Sequence, residues 1–599
     1  MKLSDYVIDF LARRGVQHAF ILPGGGSMHL VDSVGKSKDL QFICCLHEVS
    51  CAFAAEAYAE YTNRLGVAIV TTGPGGTYCV TGVACAWIES SGGFFISGQA
   101  KRADMLSTRG VRSMGQQEVD IVSIVRPITK YAVSVMSPES IRYHLEKAAY
   151  LATHGRSGPV WIEIPLDVQA SQIDETKLVG YNPQEPRQET PEDLRQDVEN
   201  LIRIIRNSER PVFLVGNGVR SARAIDELHS LLEQVQIPVL LTWKAIDMLP
   251  EGHPLYRGRP GGIGQRGANF TQQNSDCIIV IGARLDLPSL AFSHKYFARA
   301  AARVMVDIDA AEILKMTPPV DLGICGDAGA FLREFRNQSS ALAGYTCRPW
   351  LDRTAEWQVR YPVVLPEYRK PDLGFVSTYV LVDLLSNELT PDDLIVPGSA
   401  GPCSDILMQA FKVKAGQRIM NAPGLGSMGT GLPATIGACL AANRRRTICV
   451  IGDGGFQQSI QELETVRRLD LPIKYFVLNN QGYSSIASTQ RNHFQGRLVA
   501  TGPESGLTLP DVKKVAAAYG IKTDRLAENA DIKEAIRRVL AADGPVVCEV
   551  MVSPVEETAP RVASALNARG EISSKPMEDM SPLLERAEFL ANMIIPPLD

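Results

Sequence analysis

The sequence predicts an α/β protein built from three doubly wound, parallel-sheet domains, and three observations predict it. Short Val- and Ile-rich runs alternate with longer amphipathic segments, the pattern of β-α units whose parallel sheets are covered on both faces. The 599 residues exceed what one hydrophobic core fills. Two landmarks near the start, Gly73-Pro74-Gly75 and Gly158-Pro159-Val160, reappear at nearly equal offsets as Gly452-Asp453-Gly454 and Gly544-Pro545-Val546. That recurrence suggests a duplicated domain separated by an insertion.

The first domain is expected over residues 1–170, with strands in AFILPG, QFICCL, GVAIVTTG, GGFFISG and PVWIEIP. A polar, Pro-containing linker runs from about Ser171 to Asp193. The second domain, over 190–344, carries PVFLVGNG, IPVLLTW, DCIIVIGARLD and ARVMVDID and reads as a nucleotide-binding-like fold. A less regular stretch from Tyr345 to Asp372 leads into the third domain, over 373–553, with strands in DLIVPG, TICVIGDG, IKYFVLNN and PVVCEVMV. Residues 554–599 form a tail whose amphipathic segment SPLLERAEFLANMI is a candidate lid, with a frayed terminus as the alternative.

Composition narrows the partners to small molecules. Net charge is -5 with pI near 6.1, and the only basic run is Arg444-Arg445-Arg446, which argues against nucleic acid. No apolar stretch is long and charge-free enough to cross a bilayer, and MKLSDYVIDFLARRGV lacks the apolar run of a signal peptide, so a cytoplasmic location is expected. Twelve cysteines show no zinc-like spacing and read as buried free thiols of a reducing compartment.

The strongest local signal runs from Gly452 to Tyr483: strand, Gly-rich turn, helix, then a second strand ending at Asn479-Asn480. In an open α/β sheet both turns lie at the carboxyl ends of strands, so Asp453 and Asn480 can face one point. A carboxylate, an amide oxygen and the Gly482 carbonyl are hard ligands suited to Mg²⁺, with octahedral positions left for a diphosphate and water. Gly452, Gly454 and Gly455 let backbone approach the phosphates. Either turn alone is commonplace; their combination across one strand-helix-strand unit is specific.

This segment resembles the thiamine diphosphate motif. From about Ser4 to Val552 the chain resembles the acetohydroxyacid (acetolactate) synthase family, through FILPGGGSMHL, LHEVSCAFAAEAYA, TTGPGGTYCVTGVACAW, SGPVWIEIPLDVQ, IGARLD and PGLGSMGTGLPATIGA. The resemblance makes Glu48 the carboxylate that bonds the coenzyme's pyrimidine ring and drives loss of the thiazolium C2 proton; otherwise Glu48 is a first-turn acid meeting a helix dipole. It implies that Gly25, within Gly24-Gly25-Gly26, brings backbone to the reacting carbon, a purely structural turn being the alternative, and that Gln117 hydrogen-bonds an intermediate, an exposed loop Gln being the alternative. It implies too that Pro74, Gly426, Met428 and Tyr483 shape the cofactor pocket, Met428 as a bulky prop, with ordinary packing as the alternative for that Met. Because Glu48 and Asp453 belong to different domains, it also implies a homodimer or homotetramer with sites at the subunit interface. Gly216-Asn217-Gly218, the run Gly261 to Asn269 and Gly282-Ala283-Arg284 resemble an FAD site; structural turns in a domain without nucleotide are the alternative.

None of the nine histidines is adjacent to another, so the His-His pair of pyruvate decarboxylase-like relatives has no counterpart and carboligation is favoured over aldehyde release. Where the synthases place a Trp in the acceptor channel this chain has Thr489, flanked by Gln490, Arg491, Asn492 and His493, which suits a larger polar acceptor. The runs QEVDIV, RPITKY and SKPMEDMSPLL resemble enzymes that add an acetyl unit from pyruvate to a nucleotide-linked keto sugar. An acetolactate synthase proper is the alternative, and an inactive regulatory or scaffold homologue is the alternative of another class.

Overall fold

The computed structural model describes residues 1–105, 110–183, 191–371, 373–398, 400–566 and 572–598. Part of the expected linker and the tip of the tail therefore lie outside the described residues. Three parallel sheets of six, five and six strands follow one another along the chain, with helices on both faces.

The first sheet holds β1 (His18–Ile21), β2 (Gln41–Cys44), β3 (Gly66–Val70), β4 (Gly93–Gln99), β5 (Tyr131–Ser134) and β6 (Val160–Pro165), in the order β2-β1-β3-β4-β6-β5. The second holds β7 (Pro211–Val215), β8 (Val239–Leu241), β9 (Cys277–Ile281), β10 (Ala302–Asp307) and β11 (Leu322–Cys325), in the order β11-β10-β9-β7-β8. The third holds β12 (Leu394–Ile395), β13 (Arg418–Ile419), β14 (Thr447–Gly452), β15 (Ile473–Asn479), β16 (Lys522–Leu526) and β17 (Val546–Met551), in the order β13-β12-β14-β15-β17-β16. Counted from its own first strand, the third sheet repeats the order of the first.

Within these three sheets four strands have no counterpart in the sequence reading: β5, β11, β13 and β16. All four are sheet edges. An edge strand buries less side chain, and β16, KTDRL, carries charge where the central β14 and β15 are almost wholly buried.

A single apolar core joins the outer domains, from Phe20, Ala68 and Phe95 to Phe456, Val466 and Val477. At its centre the helix Glu48–Thr62 crosses the helix Gly431–Ala441. A Cβ on Gly437 would stand 2.0 Å from the Ala54 carbonyl oxygen, so only glycine permits that approach.

The tail straps the third domain to the second. After a short antiparallel hairpin, β18 (Ser564–Leu566) with β19 (Ile572–Ser574), it runs along the helix Arg266–Gln273. Arg266 donates to the carbonyls of Met580 and Pro582, and Asn269 to that of Met577 (2.9 Å). Trp357 Nε1 donates to Asn592 Oδ1 at 2.7 Å. No helix among the described residues is long and apolar enough to cross a membrane.

Candidate active site

The amino-terminal half of the site forms where β1, β2 and β3 end. Beyond β2 the His47 ring accepts the Val49 N–H at 3.2 Å and caps the helix that Glu48 opens. Glu48 is 8% exposed, and its carbonyl accepts the Cys79 thiol at 3.4 Å. Pro74 opens the neighbouring helix Pro74–Glu89.

Gly25 is exposed in the turn after β1, which is pinned by Gly26 N–H donating to Thr71 Oγ1 at 3.1 Å. The Thr72 hydroxyl donates to Gln99 Oε1 at 2.7 Å and lies 3.2 Å from the Gln117 carbonyl. Gln99 Nε2 in turn donates to Glu163 Oε1 at 2.7 Å, a carboxyl that burial pushes up to about 7. This buried chain of bonds ties the loop carrying Gln117 to the ends of β3, β4 and β6. Thr72, Gln99 and Glu163 were missed from sequence; the signal was two polar residues, Gln99 and Glu163, inside otherwise apolar strands.

The carboxyl-terminal half is more compact. β14 and β15 are parallel neighbours, Gly452 beside Leu478, so the turns after them share one edge of the sheet. Asp453 accepts the Gly454 N–H at 2.7 Å and, through its second oxygen, the Gly482 N–H at 3.2 Å. Asn480 Oδ1 lies 3.3 Å from that same N–H, while its Nδ2 donates to Ser484 Oγ at 3.0 Å. Gly482 is at φ +154°, and a Cβ there would stand 2.0 Å from the Thr501 carbonyl oxygen.

Met428 and Tyr483 come together over Gly454, where a Cβ would meet the Tyr483 ring at 2.4 Å and the Met428 methyl at 3.2 Å. Gly452 faces open space, Gly455 packs on Ile451, and Gly426 lines the large cavity described below.

These residues fit a diphosphate-bound magnesium ion. Asp453 is 1% exposed, and burial pushes its carboxyl up to about 6 although backbone N–H groups pull it down. Two hard oxygens thus converge at a buried acid that a cation would neutralise. Among the described residues no cluster of three His, Cys, Asp or Glu side chains could hold a metal alone. Backbone, phosphate and water would complete the coordination.

Glu48 and Asp453 are not joined within one chain: among the described residues no hydrogen bond or ion pair links Glu48 to Asp453, Asn480 or Gly482. The Glu48 turn instead meets Glu462, which accepts the Leu46 N–H at 2.9 Å.

A cavity of about 1070 Å³ opens beside this half-site. One end is lined by Gly401, Asp405, Gly426, Thr489 and Arg561, and the other by Asn217, Gly218, Arg284 and Asp307 at the carboxyl ends of β7, β9 and β10. Asn217 Oδ1 is buried there without a hydrogen-bond partner.

Models of the thiamine pyrophosphate enzymes match in register with the three sheets: the N-terminal TPP binding domain at residues 1–124, the central domain at 198–335 and the C-terminal TPP binding domain at 399–550. A probable acetolactate synthase large subunit of Methanocaldococcus jannaschii is 32% identical, covering 93% of each chain. The acetolactate synthase large subunit of Cyanidium caldarium is 32% identical over 93% of this chain and 94% of its own. The chloroplastic acetolactate synthase of Arabidopsis thaliana is 31% identical over 94% of this chain and 83% of its own. With three domain models in chain order and full-length likeness to these synthases, the chain belongs to the thiamine diphosphate-dependent enzymes of the acetolactate synthase type.

Proposed function

We propose that the protein is a thiamine diphosphate- and Mg²⁺-dependent carboligase that decarboxylates a 2-oxo acid, pyruvate first, and transfers the two-carbon acyl unit to a carbonyl acceptor, a nucleotide-linked keto sugar. The carrying observation is the near end of the cavity, polar along Thr489, Asn492 and His493 and continuous with Gly426 beside the cofactor turns. A polar lining of this kind suits a hydroxylated acceptor better than a second small 2-oxo acid.

When bound, the coenzyme supplies the electron sink for decarboxylation. Asp453, Asn480 and the Gly482 carbonyl hold the magnesium ion, with Gly452, Gly454 and Gly455 leaving backbone room for the diphosphate. Glu48 holds a proton at the pyrimidine edge, Met428 and Tyr483 wall the pocket, and Gly25 with Gln117 faces the reacting carbonyl beneath Pro74. A second copy of the chain brings Glu48 to Asp453. In support, Phe42, Leu46 and Tyr78 around Glu48 are each at least half exposed, an apolar rim of the kind that subunits cover. At the far end of the cavity, Asn217, Arg284 and Asp307 suit FAD, and the unpartnered Asn217 oxygen favours that reading over bare structural turns. A flavin absorption band in the purified protein tests it.

The main test is reconstitution with thiamine diphosphate, Mg²⁺ and pyruvate. CO₂ release that becomes productive only with a hydroxylated carbonyl acceptor supports the proposal. Rapid acetolactate formation from pyruvate alone returns the protein to the acetolactate synthases proper.

A further inference from the structure

Resting on the carboligase reading above, we infer that Asp405 and Arg561 form the acceptor-recognition site and select an uncharged, hydroxylated carbonyl group over a second 2-oxo acid. Both line the cavity end that contains Gly426 and Thr489. Asp405 sits on the helix Pro402–Ala410, whose preceding Gly401 would place a Cβ 3.0 Å from Ser485 Oγ, on the helix that follows the Asn480 turn. The site therefore adjoins the cofactor half-site.

Among the described residues neither the Asp405 carboxylate nor the Arg561 guanidinium has a hydrogen bond or ion pair; burial pushes the Asp405 carboxyl up to about 7, and the nearby Arg561 charge opposes that shift. Both are nonetheless rigidly presented. Arg561 exchanges backbone hydrogen bonds with Ser581 at 2.9 and 2.7 Å, and Asp405 stands in the first turn of a packed helix. Both side chains are partly buried and face one void, an acid and a base that together suit a ligand supplying both a donor and an acceptor.

A hydroxylated ketone does so: hydroxyls donate to Asp405, and ring or hydroxyl oxygens accept from Arg561 and from the Ser564–His493 pair, itself 3.3 Å apart. A second 2-oxo acid offers only acceptor oxygens: its carboxylate can pair with Arg561 but gives Asp405 no donor. The transfer balances without a redox partner. Pyruvate loses its carboxylate as CO₂, the acyl carbon bonds to the acceptor carbonyl carbon, and that carbonyl oxygen takes one proton from solvent.

The test compares holoenzyme with Asp405→Asn, Asp405→Glu and Arg561→Gln variants on pyruvate alone and on pyruvate with dihydroxyacetone. Wild type forms the mixed adduct in excess. Asp405→Asn shifts the ratio of acetolactate to mixed adduct at least tenfold toward acetolactate, Asp405→Glu keeps the wild-type ratio, and Arg561→Gln lowers the mixed adduct at least tenfold. An unchanged ratio in a folded Asp405→Asn protein, an unchanged yield in Arg561→Gln, or no mixed adduct from wild type overturns the inference. Should Asp405→Asn fail to fold, Arg561→Gln decides. Absence of CO₂ release by wild type would strike instead at the carboligase reading.

Discussion

Asp453 is a buried acid, and the metal binding proposed for it is therefore pH-dependent. Burial holds the carboxyl at about 6, above the ordinary value of 3.8, despite the opposing Gly454 and Gly482 N–H groups. Only the ionised form binds Mg²⁺. Apparent affinity of metal-free protein for Mg²⁺ with thiamine diphosphate is therefore level above about pH 6 and falls roughly tenfold per unit below it. Stability runs oppositely: a raised acid stabilises the metal-free fold fully below its unfolded pKa, and that contribution is lost as pH rises through about 6. Calorimetry at either side of that pH checks the first statement, and equal affinities would contradict it. Glu48→Gln separates chemistry from binding: turnover falls by about 10²–10⁴, the usual worth of one acid-base group, while coenzyme affinity stays within a few-fold. Equal turnover would remove the assignment. Glu48, Asp453 and Asn480 were legible in the sequence because each sits in a short motif at a strand end. Glu163, Asp405 and Arg561 were not, since their partners or cavity neighbours lie far along the chain.

At the scale of elements, the central strands declared themselves by continuous Val and Ile runs; the recurrence of landmarks suggested a duplicated domain, and the first and third sheets share one strand order. The edge strands β5, β11 and β16 escaped because a half-covered strand needs no unbroken apolar run, and β13 because its two buried residues are too few to show a pattern. Nor does the sequence announce that the helices Glu48–Thr62 and Gly431–Ala441 cross at the middle of the shared core. That crossing depends on Gly437, within 2.0 Å of the Ala54 carbonyl if it carried a Cβ. Gly437→Leu should destabilise the protein by about 1–3 kcal/mol or more, the cost of overpacking, and loosen the helix that presents Glu48. Denaturant unfolding together with coenzyme titration reads both effects; an unchanged unfolding midpoint would show that the helices can part freely.

Across the whole molecule, one buried charge network joins the three domains. Lys244 of the second domain meets Glu60 (2.8 Å) and Glu89 (3.3 Å) of the first and the Asn421 carbonyl (2.7 Å) of the third. Arg418 of the third pairs with Asp247 (2.9 Å) of the second, which also holds Arg220. Beside them, burial and the Glu60 charge push Glu56 up to about 8. Lys244→Met strands two buried carboxylates and should destabilise by about 3–5 kcal/mol, with Glu89→Gln in the same chain recovering part of the loss. A thermal melt unchanged by Lys244→Met would mean the network is not structural.

The account rests on Glu48 of one subunit and Asp453 of another serving a single coenzyme. Differently tagged Glu48→Gln and Asp453→Ala chains, each inactive alone, can be co-expressed and purified through both tags. Each mixed dimer would then hold one intact site and one doubly defective site, and should recover about half the wild-type turnover per dimer. Mixed dimers as inactive as their parents would contradict the shared site.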